Sequence, residues 1–372
     1  MVDVEHGIAA VGVAPVGAGS FSAPPALWLS TDAVHWRDAT PPGARELVSP
    51  GIYPMFDAAS FINPNTGWVT TWNILNLGVT IYRTSDAGKT WSAIAGGGHG
   101  DHAGDAEWIQ LINPTTAIRE SVAATASNMA LDITTNAGAS WRTVYTGPPP
   151  TAATELARGP YELPVAFASA QHGFAATGIP SYEPQVPGGF FATDDGGIHW
   201  RRLTLPSLAT SNCVQGTASA NRCVSTLPTF DDATHAVLAT ESITGSQARV
   251  GFDTSSDGGK SWRTAANVEV SIASFPSTED PQRFVSVATP TSANWWIVSS
   301  THNAVTTRVS ADAGDNWSSI ASADPLGAPD GIEALDATHA LLQTTITTSD
   351  GTTLALWTTT DAGRRWHRLL GS

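Results

Sequence analysis

Lysine is almost missing from this sequence: Lys89 and Lys260 are the only two in 372 residues. Charged residues of all kinds make up only 14%, and the 33 acidic side chains against 18 basic ones leave a formal net charge of -15. A chain of that sign has no broad basic surface for phosphate backbones or an anionic bilayer, which argues against nucleic acid or membrane as its main partner. No apolar run approaches the ~20 residues a spanning helix needs, so no membrane insertion is expected. Ile8 to Ala18 is apolar but short, and the acidic Val2-Asp3-Val4-Glu5 before it is not the basic flank of a signal peptide. Cysteine is scarce as well. Cys213 and Cys223 share one Ser/Thr/Asn/Gly-rich segment without zinc-type partners, which leaves two readings: free thiols, or a local disulfide. A bridge over so short a loop would contribute roughly 2–3 kcal/mol in the chain-entropy model. It would also place the protein in an oxidising compartment, extracellular or periplasmic.

Glycine, proline and tryptophan are abundant, at 34, 24 and 14 residues. Short strands joined by tight turns suit this composition better than long solvated helices. One octad recurs: Thr84-Ser85-Asp86-Ala87-Gly88-Lys89-Thr90-Trp91 returns as Ser255 to Trp262, Ser310 to Trp317 and Thr359 to Trp366. Thr193 to Trp200 fits the same frame, Thr134 to Trp141 fits with Asn136 replacing the aspartate, and Ser30 to Trp36 is one residue short and lacks the glycine. Each position has a task. The Asp carboxylate accepts backbone N–H bonds across a turn, the Gly takes a positive φ, and the Trp folds back as an apolar plug. The repeat tryptophans Trp36, Trp91, Trp141, Trp200, Trp262, Trp317 and Trp366 lie 49 to 62 residues apart, a period that fits a four-stranded blade with variable loops.

A second echo precedes the octads. Phe61 to Val69 resembles Phe167 to Ala175, and Asp232-Ala233-Thr234-His235 matches Asp336-Ala337-Thr338-His339. These read as a first strand, a turn and a second strand. His6, His172, His235 and His339 share one turn position, and such repetition marks them as structural. The chain opens at a position equivalent to the end of a first strand, so the first blade is expected to be short there, with either a poorly paired edge or further chain upstream.

The octads match the S/T-x-D-x-G-x-T/S-W pattern of the Asp-box (BNR) repeat family over nearly the whole chain. That family includes sialidases, two-propeller xyloglucanases, sortilin-type receptors and Ycf48-type assembly factors. The resemblance implies an all-β fold: one seven-bladed β-propeller domain over residues 1–372, with four-stranded antiparallel blades and Asp-box turns between strands C and D. In such propellers these turns lie on one face, and the D-to-A and B-to-C loops lie on the other. Near-copies of one residue set cannot mark a single active site, so function is expected in whatever breaks the repeat.

The most chemical such segment is Gly96 to Glu107, where His99, Asp101, His102, Asp105 and Glu107 fall within nine residues. As a set, His99, Asp101, His102 and Asp105 would hold a divalent metal ion, although no zinc or calcium spacing is matched. Alternatively, His99 and Asp101 would supply acid and base, with Arg119 and Glu120, a charged pair in place of small or apolar residues, completing a catalytic set. A buried structural ion pair at Arg119 is the competing reading. Trp108, Tyr161 and Tyr182 are candidates for contact with sugar rings, as are Trp72 and Trp295-Trp296 if exposed. A conventional sialidase is disfavoured, since its Arg-Ile-Pro motif is absent. Two functions remain in view. One is an exported propeller, expected to be monomeric, that acts on or binds glycans as a hydrolase, lyase or lectin. The other is a non-catalytic scaffold that binds a protein partner, as Ycf48-type factors do.

Overall fold

The computed structural model describes residues 2–5, 8–13, 25–46, 49, 53–73, 78–94, 108–122, 129–147, 165–177, 189–209, 222–244, 246–272, 285–301, 304–322, 326–348 and 351–370. Among these, strands dominate, and only two single-turn helices interrupt them, Pro42–Arg45 and Pro206–Ala209.

Six sheets are four-stranded antiparallel meanders in chain order, here called A to D. The first sheet is Val2–Glu5, Ile8–Val13, Ala26–Ser30 and Arg37–Asp38. The second is Met55–Asn63, Thr66–Asn73, Gly78–Thr84 and Ser92–Ile94, and the third is Trp108–Asn113, Thr116–Val122, Met129–Thr134 and Arg142–Gly147. The fourth is Val165–Phe167, Gly173–Thr177, Gly189–Thr193 and Arg201–Leu203. The sixth is Val285–Ala288, Trp295–Thr301, Ala304–Ser310 and Ser318–Ser322, and the last is Ala328–Ala334, Ala340–Thr348, Gly351–Thr359 and His367–Leu370.

The fifth sheet departs from the expectation of seven four-stranded blades. It has five strands, because its strand A is broken into Arg222–Ser225 and Thr229–Phe230, both paired with Ala236–Thr244. Pro228 lies in the break, and a proline has no N–H to give the ladder. The sheet continues with Gln247–Ser255 and Arg263–Ser271.

Packing divides the chain into two compact units, Met1–Gly173 with Thr193–Trp200, and Phe174–Ala192 with Arg201–Ser372. In the first unit, Leu27, Leu29 and Ala39 pack with Phe61, Val69 and Tyr82 between the first and second sheets. Trp68 and Ile81 pack with Ile109, Leu111 and Ala117 between the second and third. In the second unit, Phe252 stacks on Trp295 with ring centroids 4.5 Å apart, inside the cluster joining the fifth and sixth sheets. Trp296, Val298 and Leu342 belong to the cluster that follows. The apolar core is thus laminated between consecutive sheets. Inner strands are covered on both faces and read as continuous apolar runs, such as Ala236-Val237-Leu238-Ala239. The outer strand Arg263–Ser271 instead alternates between exposed and partly covered residues.

Two sequence expectations are corrected by this packing. Trp295 and Trp296 are wholly buried and offer no platform to a sugar. Six of the seven repeat tryptophans are only half-buried, Trp366 being the exception, so they cap the core edges rather than fill it.

Candidate functional site

Six copies of the repeated turn share one bond, from the amide four residues on to the Asp or Asn side chain, whereas in the shortened first copy Asp32 Oδ1 takes the Val34 and His35 amides. In the second sheet, Asp86 Oδ1 accepts the Thr90 amide at 2.9 Å and Oδ2 accepts the Thr90 hydroxyl at 2.6 Å. Asp257 holds the Ser261 amide and hydroxyl in the same way. His199 and His35 replace the hydroxyl with ring nitrogens 2.6 Å from Asp195 and Asp32. The leading Ser or Thr closes the other side: Thr84 Oγ1 donates to Asp86 and accepts the Gly88 amide at 2.7 Å. These donors favour the ionised carboxylate. The Thr90 hydroxyl, then the Thr90 amide, holds Asp86 at a pKa of about 2, and the Ser261 hydroxyl and amide hold Asp257 likewise. Asn136 keeps the turn by accepting the Ser140 amide through Oδ1 and donating to its hydroxyl through Nδ2.

The A-to-B turn of the same sheet is tied to this turn. Asn63 Oδ1 accepts the amides of Asn65 and Thr66, and Asp336 Oδ1 accepts those of Thr338 and His339. Each such turn then offers a carbonyl to the octad of its own sheet: Asn65 to the Ala87 amide, Thr234 to Gly258, and Thr338 to Ala362. His172, His235 and His339 each face a carboxylate, of Asp194, Asp232 and Asp336, at 2.8–2.9 Å. Their recurrence is therefore accounted for by the turns themselves. His6 lies outside the described residues.

The glycine of the octad has a second duty besides its positive φ. A Cβ on Gly259 would lie 2.2 Å from the Phe174 ring, and one on Gly138 would lie 2.8 Å from Ile94. Both neighbours belong to the preceding sheet, so the turn is pressed onto the blade before it. The residue just before the glycine is left-handed too: Ala87, Ala137, Ala313 and Ala362 have φ of 56–64° where Gly196 and Gly258 stand in other copies.

Two copies carry a buried charge in strand C, two residues ahead of the leading Ser or Thr. Asp132, in the third sheet, takes Arg119 Nε and Nη2 at 3.0 Å and the Thr143 hydroxyl at 2.6 Å, and Arg119 lies 4.5 Å above the Trp141 ring. Asp253, in the fifth sheet, is fully buried and accepts the Ser207 amide at 3.2 Å, the Ser207 hydroxyl at 2.6 Å and the Thr264 hydroxyl at 2.9 Å. Ser207 comes from the helix Pro206–Ala209. A sequence signal for both sites exists. Trp-Arg-Thr, as Trp141-Arg142-Thr143 and Trp262-Arg263-Thr264, occurs only in the two copies that carry the aspartate.

Of the expected catalytic set, the structure describes the side chain of Arg119 alone. It is buried at 6% exposure against Asp132, the arrangement of a buried ion pair. Glu120 sits in strand B, opposite Trp108 and Leu131 in the pairing register. His99, Asp101, His102, Asp105, Tyr161, Tyr182 and Cys213 lie outside the described residues, while Cys223 lies in strand Arg222–Ser225.

One open groove of about 580 Å³ runs along Arg263–Ser271. It is lined by Ala265 to Glu269 together with Arg308, Gly314, Trp317 and Ser319. Arg308 Nη1 donates to the Glu269 carbonyl at 2.6 Å. Trp317 turns its indole N–H onto the Gly314 carbonyl.

No protein-family model matches the chain, and no curated protein matches it significantly. Solved structures do resemble it. Ycf48 from Cyanidioschyzon merolae aligns at 16% identity over 92% of this chain and 91% of its own, with a TM-score of 0.53. A prolyl endopeptidase aligns at 12% identity over 99% of this chain and 49% of its own, with a TM-score of 0.57, so the chain spans about half of that enzyme. An ulvan lyase of polysaccharide lyase family 25 reaches 0.43 at 9% identity, covering 84% of this chain and 82% of its own. The first two likenesses show the fold: an all-β propeller with four-stranded antiparallel blades.

Proposed function

We propose that the chain is a non-catalytic propeller that binds a protein partner. On this reading residues 1–372 form one domain of seven blades, with the five-stranded sheet counted as a blade and the repeated turns as Asp boxes of the BNR type. The protein is exported, with Cys213 and Cys223 joined in a loop disulfide.

The observation that carries the reading is the state of Arg119. A guanidinium buried against Asp132 and stacked over Trp141 is a structural element, without access to a substrate. The buried Trp295-Trp296 pair removes a further sugar platform from the glycan reading. A panel of polysaccharides and oligosaccharides, read for binding and product release with and without EDTA, tests it. Silence across the panel is expected. Released product, or saccharide binding lost on EDTA treatment and in the His99→Ala/Asp101→Ala variant, would restore the glycan reading together with its metal.

A further inference from the structure

Outer strands are where a sheet exposes unpaired N–H and C=O groups, and proteins blunt such edges by keeping them short. The outer strands here mostly obey. Arg37–Asp38 has two residues, Ser92–Ile94 and Arg201–Leu203 have three, and His367–Leu370 has four. Arg263–Ser271 has nine and, among the described residues, pairs only with Gln247–Ser255. It contains no proline or lysine to discourage pairing, and the groove lies against its open side.

The direction of its main-chain groups follows from one contact. The Glu269 carbonyl takes the Arg308 bond and so points away from the partner strand. The two-residue alternation of a strand puts the Asn267 amide and carbonyl on the same open edge. Arg308 occupies the strand C position that holds Asp132 and Asp253 in other copies, and among the described residues it has no carboxylate partner. An unneutralised guanidinium beside free strand edges fits an extended chain that brings its own carboxylate. A neutral saccharide brings neither a carboxylate for Arg308 nor the two-residue repeat of donors and acceptors that matches a strand edge.

We propose that the open edge of Arg263–Ser271 receives an extended acidic segment of a partner protein as an added strand, its carboxylate on Arg308. The inference rests on the protein-binding reading and names the surface and chemistry it uses.

The test uses the full chain and a fluorescein-labelled nonapeptide of alternating Thr and Val with a central Asp. Two siblings accompany it, one with a central Lys and one N-methylated at alternate residues. The Asp peptide is expected to bind and to slow hydrogen exchange at the Asn267 and Glu269 amides. The N-methylated peptide should not bind, and the Lys peptide should bind at least tenfold more weakly. Arg308→Gln should remove the preference for Asp over Lys, and Arg308→Glu should reverse it. The peptide series keeps the question decidable if either variant folds poorly. Equal binding of the N-methylated peptide, protection confined to other strands, or no peptide binding at all would overturn the groove assignment. Peptide binding that protects other strands would still leave the protein-binding reading intact. Protection of these two amides by a xylo-oligosaccharide and by no peptide would overturn both.

Discussion

The third and fifth sheets bury an aspartate at the same place in strand C and neutralise it by different means. Asp132 has a counter-ion, Arg119, and one hydroxyl. Asp253 has no cation among its described contacts and relies on donors from Ser207 and Thr264. A carboxylate removed from water needs compensation of one kind or the other. The pair shows that a single repeat position accepts both, provided the strand D threonine, Thr143 or Thr264, supplies a common hydroxyl. The difference lies in where the remainder comes from. In the third sheet it comes from strand B of the same sheet, and in the fifth it comes from a helix outside the meander.

The sharpest way to break the comparison is to remove the counter-ion. Arg119→Met leaves Asp132 buried and unpaired, and should cost about 3–5 kcal/mol in urea unfolding. A loss under 1 kcal/mol would mean that the Thr143 hydroxyl alone suffices, and the two sites would then be equivalent. Ser207→Ala comes next. It deletes one hydroxyl from Asp253 but keeps the amide, for an expected loss of about 1–3 kcal/mol. Replacing both Arg119 and Asp132 by Leu should return stability to within about 1 kcal/mol of the parent, because a buried ion pair is readily exchanged for apolar contact. If the double variant stays as unstable as Arg119→Met, the pair contributes more than its own neutrality.

The turn aspartates are the solvated counterpart of Asp253, since they too are held by donors without a buried cation. Their pKa is lowered from the ordinary 3.8 to about 2 for Asp86, Asp195 and Asp257. A depressed folded-state pKa gives stability that is fully present above about pH 4 and lost as pH falls through about 2. Melting temperature should therefore drop between pH 4 and pH 2. The Asn136→Asp variant should make that acid slope steeper while changing little at pH 7. The smallest effect is expected from Ala87→Gly. Relief of the left-handed alanine is set against a looser unfolded chain, leaving a gain of at most about 1 kcal/mol in thermal unfolding.

Local chemistry was legible wherever it repeats. The Asp positions and the A-to-B turns could be read from spacing alone, because the Asp or Asn side chain that closes each turn takes amides within four residues of itself. Contacts that cross between strands or sheets were not. Arg119 stands next to Glu120 in sequence, and that neighbour suggested a pair. The contact of Arg119 with Asp132 instead reaches the adjoining strand, 13 residues away, where spacing along the chain gives no signal. The burial of Trp295-Trp296 escaped for a related reason, since Trp295 stacks on Phe252 of the preceding sheet and Trp296 packs in the cluster that includes Leu342 of the following one. Pro228 did carry a readable warning of the split strand, visible only once the pairing was known.

The octad glycines have a consequence for how such a chain can be copied, cut or shuffled. Phe174 can lie where it does only because Gly259 has no Cβ, although the two belong to consecutive blades. The module that can be duplicated without friction is therefore a blade together with the turn that follows on its successor, rather than the blade alone. A graft that respects sheet boundaries would carry each large ring away from the glycine made for it. One cut after the next octad would move lock and key together.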